Sequence, residues 1–235
     1  MTHNKLVVLF PLIFLSLFSF SQKTTEFGLL VGRSYYLGEI NPTTHVGNDV
    51  GNLAIGAAFR FNLNKRYSLK ATILQTTLKA KDVNNELAFN QMRNAEFEND
   101  LTEGAATIEF NFLPYETGDK DFFFSPYLFV GFAIYSHSPK LKINEAEYPN
   151  AEEGGSTHLS FPFGTGIKVS LARKVSLSFE WGFRKTSNDY LDGLPNREFD
   201  IFELSKNYDN DWYSVNAFML TYKLSDKGPC PAYNF

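Results

Sequence analysis

Cysteine is nearly missing from this sequence: Cys230 is the single one in 235 residues. That excludes an internal disulfide framework and leaves Cys230, in an oxidising compartment, as a free thiol or the partner of another chain. A cationic excess is also missing, since 22 Lys and Arg stand against 26 Asp and Glu for a formal charge of -4. No basic patch suggests a nucleic-acid partner. After the first twenty residues no stretch is apolar and long enough to cross a membrane as a helix.

The start of the chain has the three parts of a secretory signal: a short polar segment with Lys5, an apolar run from Leu6 to Phe18, and the small-residue region Ser19-Phe20-Ser21. This predicts a signal peptide over residues 1–21 cleaved before Gln22, because the apolar run falls short of the roughly 20 residues of a spanning helix. No cysteine lies near the cut, so an acylated lipoprotein has no acceptor.

What is abundant is aromatic: 24 Phe, 12 Tyr and 2 Trp, at a mean hydropathy of only -0.23. A transmembrane β-barrel combines these features, because only alternate residues meet lipid while polar residues line the lumen, and aromatics gather at the interfaces. The period supports this. In Asn52 to Asn62, Leu53, Ile55, Ala57, Phe59 and Phe61 share one face, and Asn52, Ala54, Gly56, Ala58, Arg60 and Asn62 the other. The same template predicts eight strands over Thr25 to Leu37, Gly51 to Leu63, Tyr67 to Ala80, Glu103 to Phe112, Ser125 to His137, Thr157 to Leu171, Lys174 to Thr186 and Trp212 to Leu224. The fifth leaves its inward face open, because Tyr127, Leu128, Phe129 and Val130 are all apolar or aromatic. The first breaks period near Arg33, which suggests a bulge.

Joint lengths alternate, with short joints at 64–66, 113–124 and 172–173 and long ones at 38–50, 81–102, 138–156 and 187–211. Outer-membrane barrels have short periplasmic turns and longer outer loops, so the pattern predicts an all-β, eight-stranded antiparallel barrel over residues 22–224, with both termini periplasmic and a tail over 225–235. A soluble lipocalin-like barrel would instead turn its apolar face into a pocket. Here the polar face carries Arg60, Lys70, Glu109, Lys168, Glu180 and Arg184, a predicted lumen charge cluster that fixes register. An eight-stranded barrel is just wide enough to be filled by side chains, which argues against a diffusion pore.

Other groups have plainer readings. The carboxylates Glu198, Asp200, Glu203, Asp209 and Asp211 lack the spacing of a calcium loop, so no metal or other cofactor is expected. His137 and His158, with Ser136, Ser138 and Ser156 nearby, imitate a base and nucleophile, but no motif supplies an orienting carboxylate or oxyanion site. No enzymatic activity and no small-molecule substrate is expected. Tyr35, Tyr36, Tyr135, Trp181, Trp212 and Tyr213 fall towards the outer strand ends and are predicted to anchor the membrane interface. The tail Gly228-Pro229-Cys230-Pro231-Ala232-Tyr233 cannot continue the ladder, so Cys230 and Tyr233 are candidate contacts for a partner in the periplasm.

Several sequence words, in order, carry a family resemblance. They are Gly32-Arg33-Ser34-Tyr35-Tyr36-Leu37-Gly38-Glu39-Ile40-Asn41, Phe110-Asn111-Phe112-Leu113-Pro114-Tyr115-Glu116, Ser125-Pro126-Tyr127 and Pro162-Phe163-Gly164-Thr165-Gly166-Ile167-Lys168. Later come Glu180-Trp181-Gly182-Phe183-Arg184-Lys185-Thr186, Asp189-Tyr190-Leu191-Asp192, Asn210-Asp211-Trp212-Tyr213 and Cys230-Pro231-Ala232-Tyr233. The chain resembles the PorG-like outer-membrane barrels of the Bacteroidetes, components of the type IX secretion system. That resemblance implies a non-catalytic role in protein secretion, and in gliding in some relatives, over a periplasmic ring of proteins resembling PorK and PorN. A stand-alone barrel with an envelope-structural or adhesive role is the alternative.

Overall fold

The computed structural model describes residues 24–38, 40, 51–84, 92, 94–143, 146–148, 157–187, 191–193, 198–199, 202–203 and 210–225. The predicted signal, the tail with Cys230 and Tyr233, and parts of all four long loops lie outside them. None of the described helices is long and apolar enough to cross a membrane. Eight long strands form the wall: β1 (Thr24–Leu37), β2 (Asn52–Asn62), β3 (Tyr67–Lys81), β4 (Ala95–Asn111), β5 (Phe124–Ile143), β6 (Thr157–Ala172), β7 (Val175–Thr186) and β8 (Trp212–Lys223). Each pairs antiparallel with its neighbours in sequence, and β1 pairs with β8, so the sheet closes on itself. Closure removes every edge along the wall.

Alternation sorts side chains as the sequence requires. Leu53, Ile55 and Phe59 of β2 are exposed, while Ala54, Ala58 and Arg60 are buried. On β5, the face left open by the sequence is settled: Tyr127, Phe129, Ala133, Tyr135 and His137 point inward, and Leu128, Val130, Phe132 and Ile134 outward. The outward apolar run from Phe124 to Ile134, at about 3.4 Å per residue and a tilt of about 40°, spans roughly 26 Å, the height of a lipid-facing belt.

Above that belt the wall reverses. From Ser136 onward the outward positions of β5 are polar, ending in Lys140 and Lys142, opposite Glu98 and Glu96 of β4. Glu98 and Glu96 also pair with Lys79 at 2.9 Å and Lys81 at 2.6 Å on β3. Meanwhile Leu78, Ala80, Phe97, Leu101, Leu141 and Ile143 turn inward and are buried. The wall here is polar outside and dry inside, the order expected in water. This extension makes β4 start eight residues before its predicted start at Glu103, and makes β5 run six past His137.

Two expectations about irregularity are corrected. Register runs unbroken through Arg33 in both β1 pairings, so there is no bulge there. The shift lies instead between Ser170 and Ala172, beside the tight β6–β7 turn, where a bulge increases local twist. Between β5 and β6 the recorded pairing stops at Val130–Phe163 and resumes at Ala133–Ser160. Pro162 lies in that gap and has no N–H to give the ladder.

Candidate functional site

The lumen holds the ionisable residues. Inward positions on β1, β2, β4 and β6 bring Glu26, Arg60, Glu109 and Lys168 together in the half nearest the chain termini. Arg60 donates from Nη1 to Glu26 at 2.9 Å and from Nε to Glu109 at 2.9 Å. Lys168 donates to Glu109 at 2.6 Å, and Lys70 pairs with Glu109 at 3.1 Å. Lys70 also reaches Glu180, which accepts a hydrogen bond from the Tyr127 hydroxyl at 2.7 Å. Three cations face three carboxylates, all buried, so the network is neutral. Gly166 and Gly182 make room for it: a Cβ at Gly166 would lie 2.6 Å from the Tyr127 ring, and one at Gly182 2.8 Å from Phe129.

Of the six residues predicted as one cluster, Arg60, Lys70, Glu109, Lys168 and Glu180 join this network. Arg184 does not. It pairs with Glu103 at 3.3 Å, nearer the rim opposite the chain termini, and the Tyr213 hydroxyl donates to the same carboxylate. Between the two tiers lie Leu30, Ala54, Ala58, Leu74, Val215 and Ala217, together with the hydrogen-bonded Ser34 and Thr76, all buried. These side chains fill the lumen between the two tiers. Glu26 and Glu103 were absent from the predicted set. One signal was available: that set holds four cations and two carboxylates, and a narrow lumen requires the missing acids.

Both mouths are covered. On the side of the chain termini the turn 112–123 folds over the opening, where Thr117 is buried and donates to Glu26 at 2.7 Å. Ser170 accepts from Gly118 N–H at 2.8 Å, and Lys223 donates to the Thr117 carbonyl at 3.2 Å. Gly118 has φ of 92°, a left-handed conformation that favours glycine. The Lys65 ammonium holds Asp119 below its usual range at 2.8 Å, and that hydrogen bond raises Lys65 in turn. Burial pushes the Tyr115 phenol up.

At the other mouth, Leu191 and Asp192 of the β7–β8 connection are buried. Asn99 donates to the Leu191 carbonyl at 2.5 Å and lies 3.2 Å from His137 Nδ1. The Tyr36 hydroxyl sits 2.7 Å from Asp192 and 2.6 Å from Asp211. Among the described residues the lumen is therefore lined by buried side chains, with a segment lying over each mouth.

The predicted interface aromatics divide. Trp181 is exposed and Trp212 half-buried on the outer face, as an anchoring role needs. Tyr36, Tyr135 and Tyr213 do not anchor the interface: they occupy inward, buried positions, where the Tyr36 and Tyr213 hydroxyls hydrogen-bond to carboxylates and the three rings fill the lumen at the end away from the chain termini. Tyr35 faces outward by alternation but is buried, with its ring against Gly51. Residue type suggested the interface; strand parity decided otherwise. His137 is buried inside β5, whereas Ser136 and Ser138 are exposed on its opposite face, so neither serine lies beside that imidazole. The His137 and His158 rings lie 5.2 Å apart. Among the described residues no group of three or more His, Cys, Asp or Glu is placed to hold a metal ion.

Solved barrels resemble this one in outline. Neisserial surface protein A superposes with a TM-score of 0.48 at 9% identity, over 85% of this chain and 97% of that one. A major outer membrane protein from Thermus thermophilus gives 0.46 at 10% identity, over 85% and 99%. The N-terminal β-barrel domain of Pseudomonas aeruginosa OprF gives 0.44 at 8% identity, over 86% and 100%. No curated protein matches the sequence. A family model does match residues 4–234, so the chain belongs to the family described as Domain of unknown function (DUF6089).

Proposed function

We propose that this chain is a filled, non-catalytic barrel of the outer membrane that serves a type IX protein secretion machinery as a docking platform. The observation that carries the reading is the pairing of an outward apolar belt with a lumen filled by buried side chains and a segment over each mouth. A wall of that kind suits a bilayer, and a lumen of that kind offers no aqueous path. Function then belongs to the two rims. The ordered sequence words shared with PorG-like barrels support secretion, with periplasmic ring proteins resembling PorK and PorN as partners. Alternating joint lengths support periplasmic termini. In this reading the tail with Cys230 and Tyr233 reaches the ring, and Cys230 is available for an intermolecular disulfide.

The test is purification of the full chain from its own membranes in mild detergent, followed by identification of the periplasmic proteins that stay attached. Retention of ring proteins, lost on deletion of residues 228–235, supports docking by the tail. A barrel that purifies alone refutes docking. A second reading, surface display, is favoured by the polar-faced extension of β3, β4 and β5 above the belt. It predicts that shortening this extension reduces attachment of cells to surfaces while secretion continues.

A further inference from the structure

The segment over the mouth opposite the chain termini is tied down by polar contacts whose directions can be assigned. Leu191 and Asp192 are fully buried there. The Leu191 N–H donates to Asp211 Oδ2 at 3.0 Å, and the Leu191 carbonyl accepts from Asn99 Nδ2 at 2.5 Å. Asn99 Oδ1 accepts from the Ser138 N–H at 2.9 Å. A backbone donor on one side and a backbone carbonyl on the other fix which end of the Asn99 amide is oxygen and which is nitrogen.

That orientation decides the state of His137. Asn99 Nδ2 also lies 3.2 Å from His137 Nδ1. An amide nitrogen only donates, so Nδ1 accepts and the ring is neutral, with its proton on Nε2. A second proton would sit on Nδ1 and face the amide hydrogens. To meet it, Asn99 has to turn over, which sets its oxygen against the Leu191 carbonyl and its nitrogen against the Ser138 N–H. Both backbone contacts are then lost, and Leu191 loses its tie to β4. Other ionisable groups share this end of the lumen among the described residues. Tyr135 stands beside His137 on β5, and His158 on β6 has its ring 5.2 Å away. Glu103 of β4 is engaged by Arg184 of β7 and Tyr213 of β8. At the cover, Asp192 and Asp211 both reach the Tyr36 hydroxyl of β1.

We propose that His137 is a proton-sensitive latch on this cover: the neutral ring holds Asn99 in the orientation that ties down Leu191, and protonation releases it. The closed cover accepts only the neutral ring, whereas the open one accepts either form. Closure is therefore complete above the ordinary imidazole value of about 6.5 and weakens as pH falls below it. Ordinary Asp carboxyls titrate near about 3.9 and keep their charge through that window. His137 lies past the apolar run that ends at Ile134, where the outer face of β5 is polar and the rim stands in water. The ring is buried, so the proton is taken up in momentary openings of the cover, and the charged ring then opposes reclosing. This device goes beyond a docking role for the rims and requires no particular partner.

The experiment is hydrogen exchange of the full chain in lipid nanodiscs, followed by nuclear magnetic resonance at the Leu191 amide. It compares about pH 7.5 with about pH 5.5, either side of the imidazole range, after correction for the intrinsic pH dependence of exchange. Protection at Leu191 is expected to fall by about tenfold or more at the lower pH, from the loss of two backbone hydrogen bonds. His137→Asn places an acceptor oxygen where Nδ1 stands and does not titrate, so it keeps protection high at both values. Asn99→Ala shows low protection at both, and His158→Gln leaves the fall in place. Protected amides along β2 show in each variant that the wall is folded. A fall that persists in His137→Asn overturns the proposal, as does one abolished by His158→Gln, which assigns the titration to the neighbouring ring. Protection that is equal at the two values, or that rises in acid through an ion pair of the imidazolium with Asp192, overturns it as well.

Discussion

Neutralising Glu109 isolates the contribution of the lumen network. Its carboxylate is fully buried and faces Arg60 at 2.9 Å, Lys168 at 2.6 Å and Lys70 at 3.1 Å. Glu109→Gln keeps the shape and removes the charge, leaving three buried cations against Glu26 and Glu180. Breaking a buried ion pair from one side costs about 3–5 kcal/mol, chiefly because the remaining charge stays desolvated. Glu98→Gln is the matched control. It removes a carboxylate from an exposed pair with Lys79, also at 2.9 Å, and such pairs contribute about 0.2–1 kcal/mol. Guanidinium unfolding of the barrel in vesicles, followed by the fluorescence of Trp181 and Trp212, reads both variants on one scale. Adding Lys168→Met to Glu109→Gln restores neutrality and recovers much of the loss, a coupling that a double-mutant cycle measures. Equal effects of Glu109→Gln and Glu98→Gln would refute the reasoning, because they would mean that the lumen charges are hydrated independently.

Phe59→Arg is expected to destabilise or block assembly by about 2–4 kcal/mol in vesicle unfolding, whereas Ala58→Ser on the lumen face is tolerated. Planar-bilayer recordings of the folded chain should show no steady conductance; a reproducible open-channel current contradicts the filled lumen. Acid should loosen the clamp of Lys65 on the turn 112–123: the Asp119 carboxyl is held below its ordinary value, so its contribution is present above about pH 4 and is lost as pH falls through the folded value. Hydrogen exchange of the Asp121 amide, which donates to Asp119 at 3.0 Å, checks this, with Asp119→Asn abolishing the pH dependence. Protease added to intact cells should cut the long loops and spare the tail after Leu224, and the opposite pattern would invert the topology.

The strands were legible in the sequence where lipid lies on one side and polar lumen on the other. Leu53, Ile55 and Phe59 against Ala54, Ala58 and Arg60 is such a case. The extra length of β4 and β5 was not legible, because above the belt the polarity of the faces exchanges. Glu96 and Glu98 point out while Phe97 and Leu101 point in, so a template seeking outward apolar residues stops too early. The lumen charges were read from parity, and five of the six meet. Arg184 lies a tier higher, a separation that depends on strand tilt and register rather than on face. Tyr36, Tyr135 and Tyr213 were misplaced because tyrosine is equally suited to a membrane interface and to a buried hydrogen bond, so residue type alone cannot choose between them. Neither mouth-covering segment was legible. Thr117 and Leu191 sit in connections whose paths depend on contacts with the finished wall.

The central claim is that one face of every strand meets lipid while the other lines a closed lumen. Single cysteines placed in turn at positions 53 to 59 of β2, in a Cys230→Ser background, each carrying a small fluorophore, test it most directly. Quenching by bromine attached midway along lipid chains should be strong at 53, 55, 57 and 59 and weak at 54, 56 and 58. Strong quenching at the even positions, or none anywhere, would contradict the account.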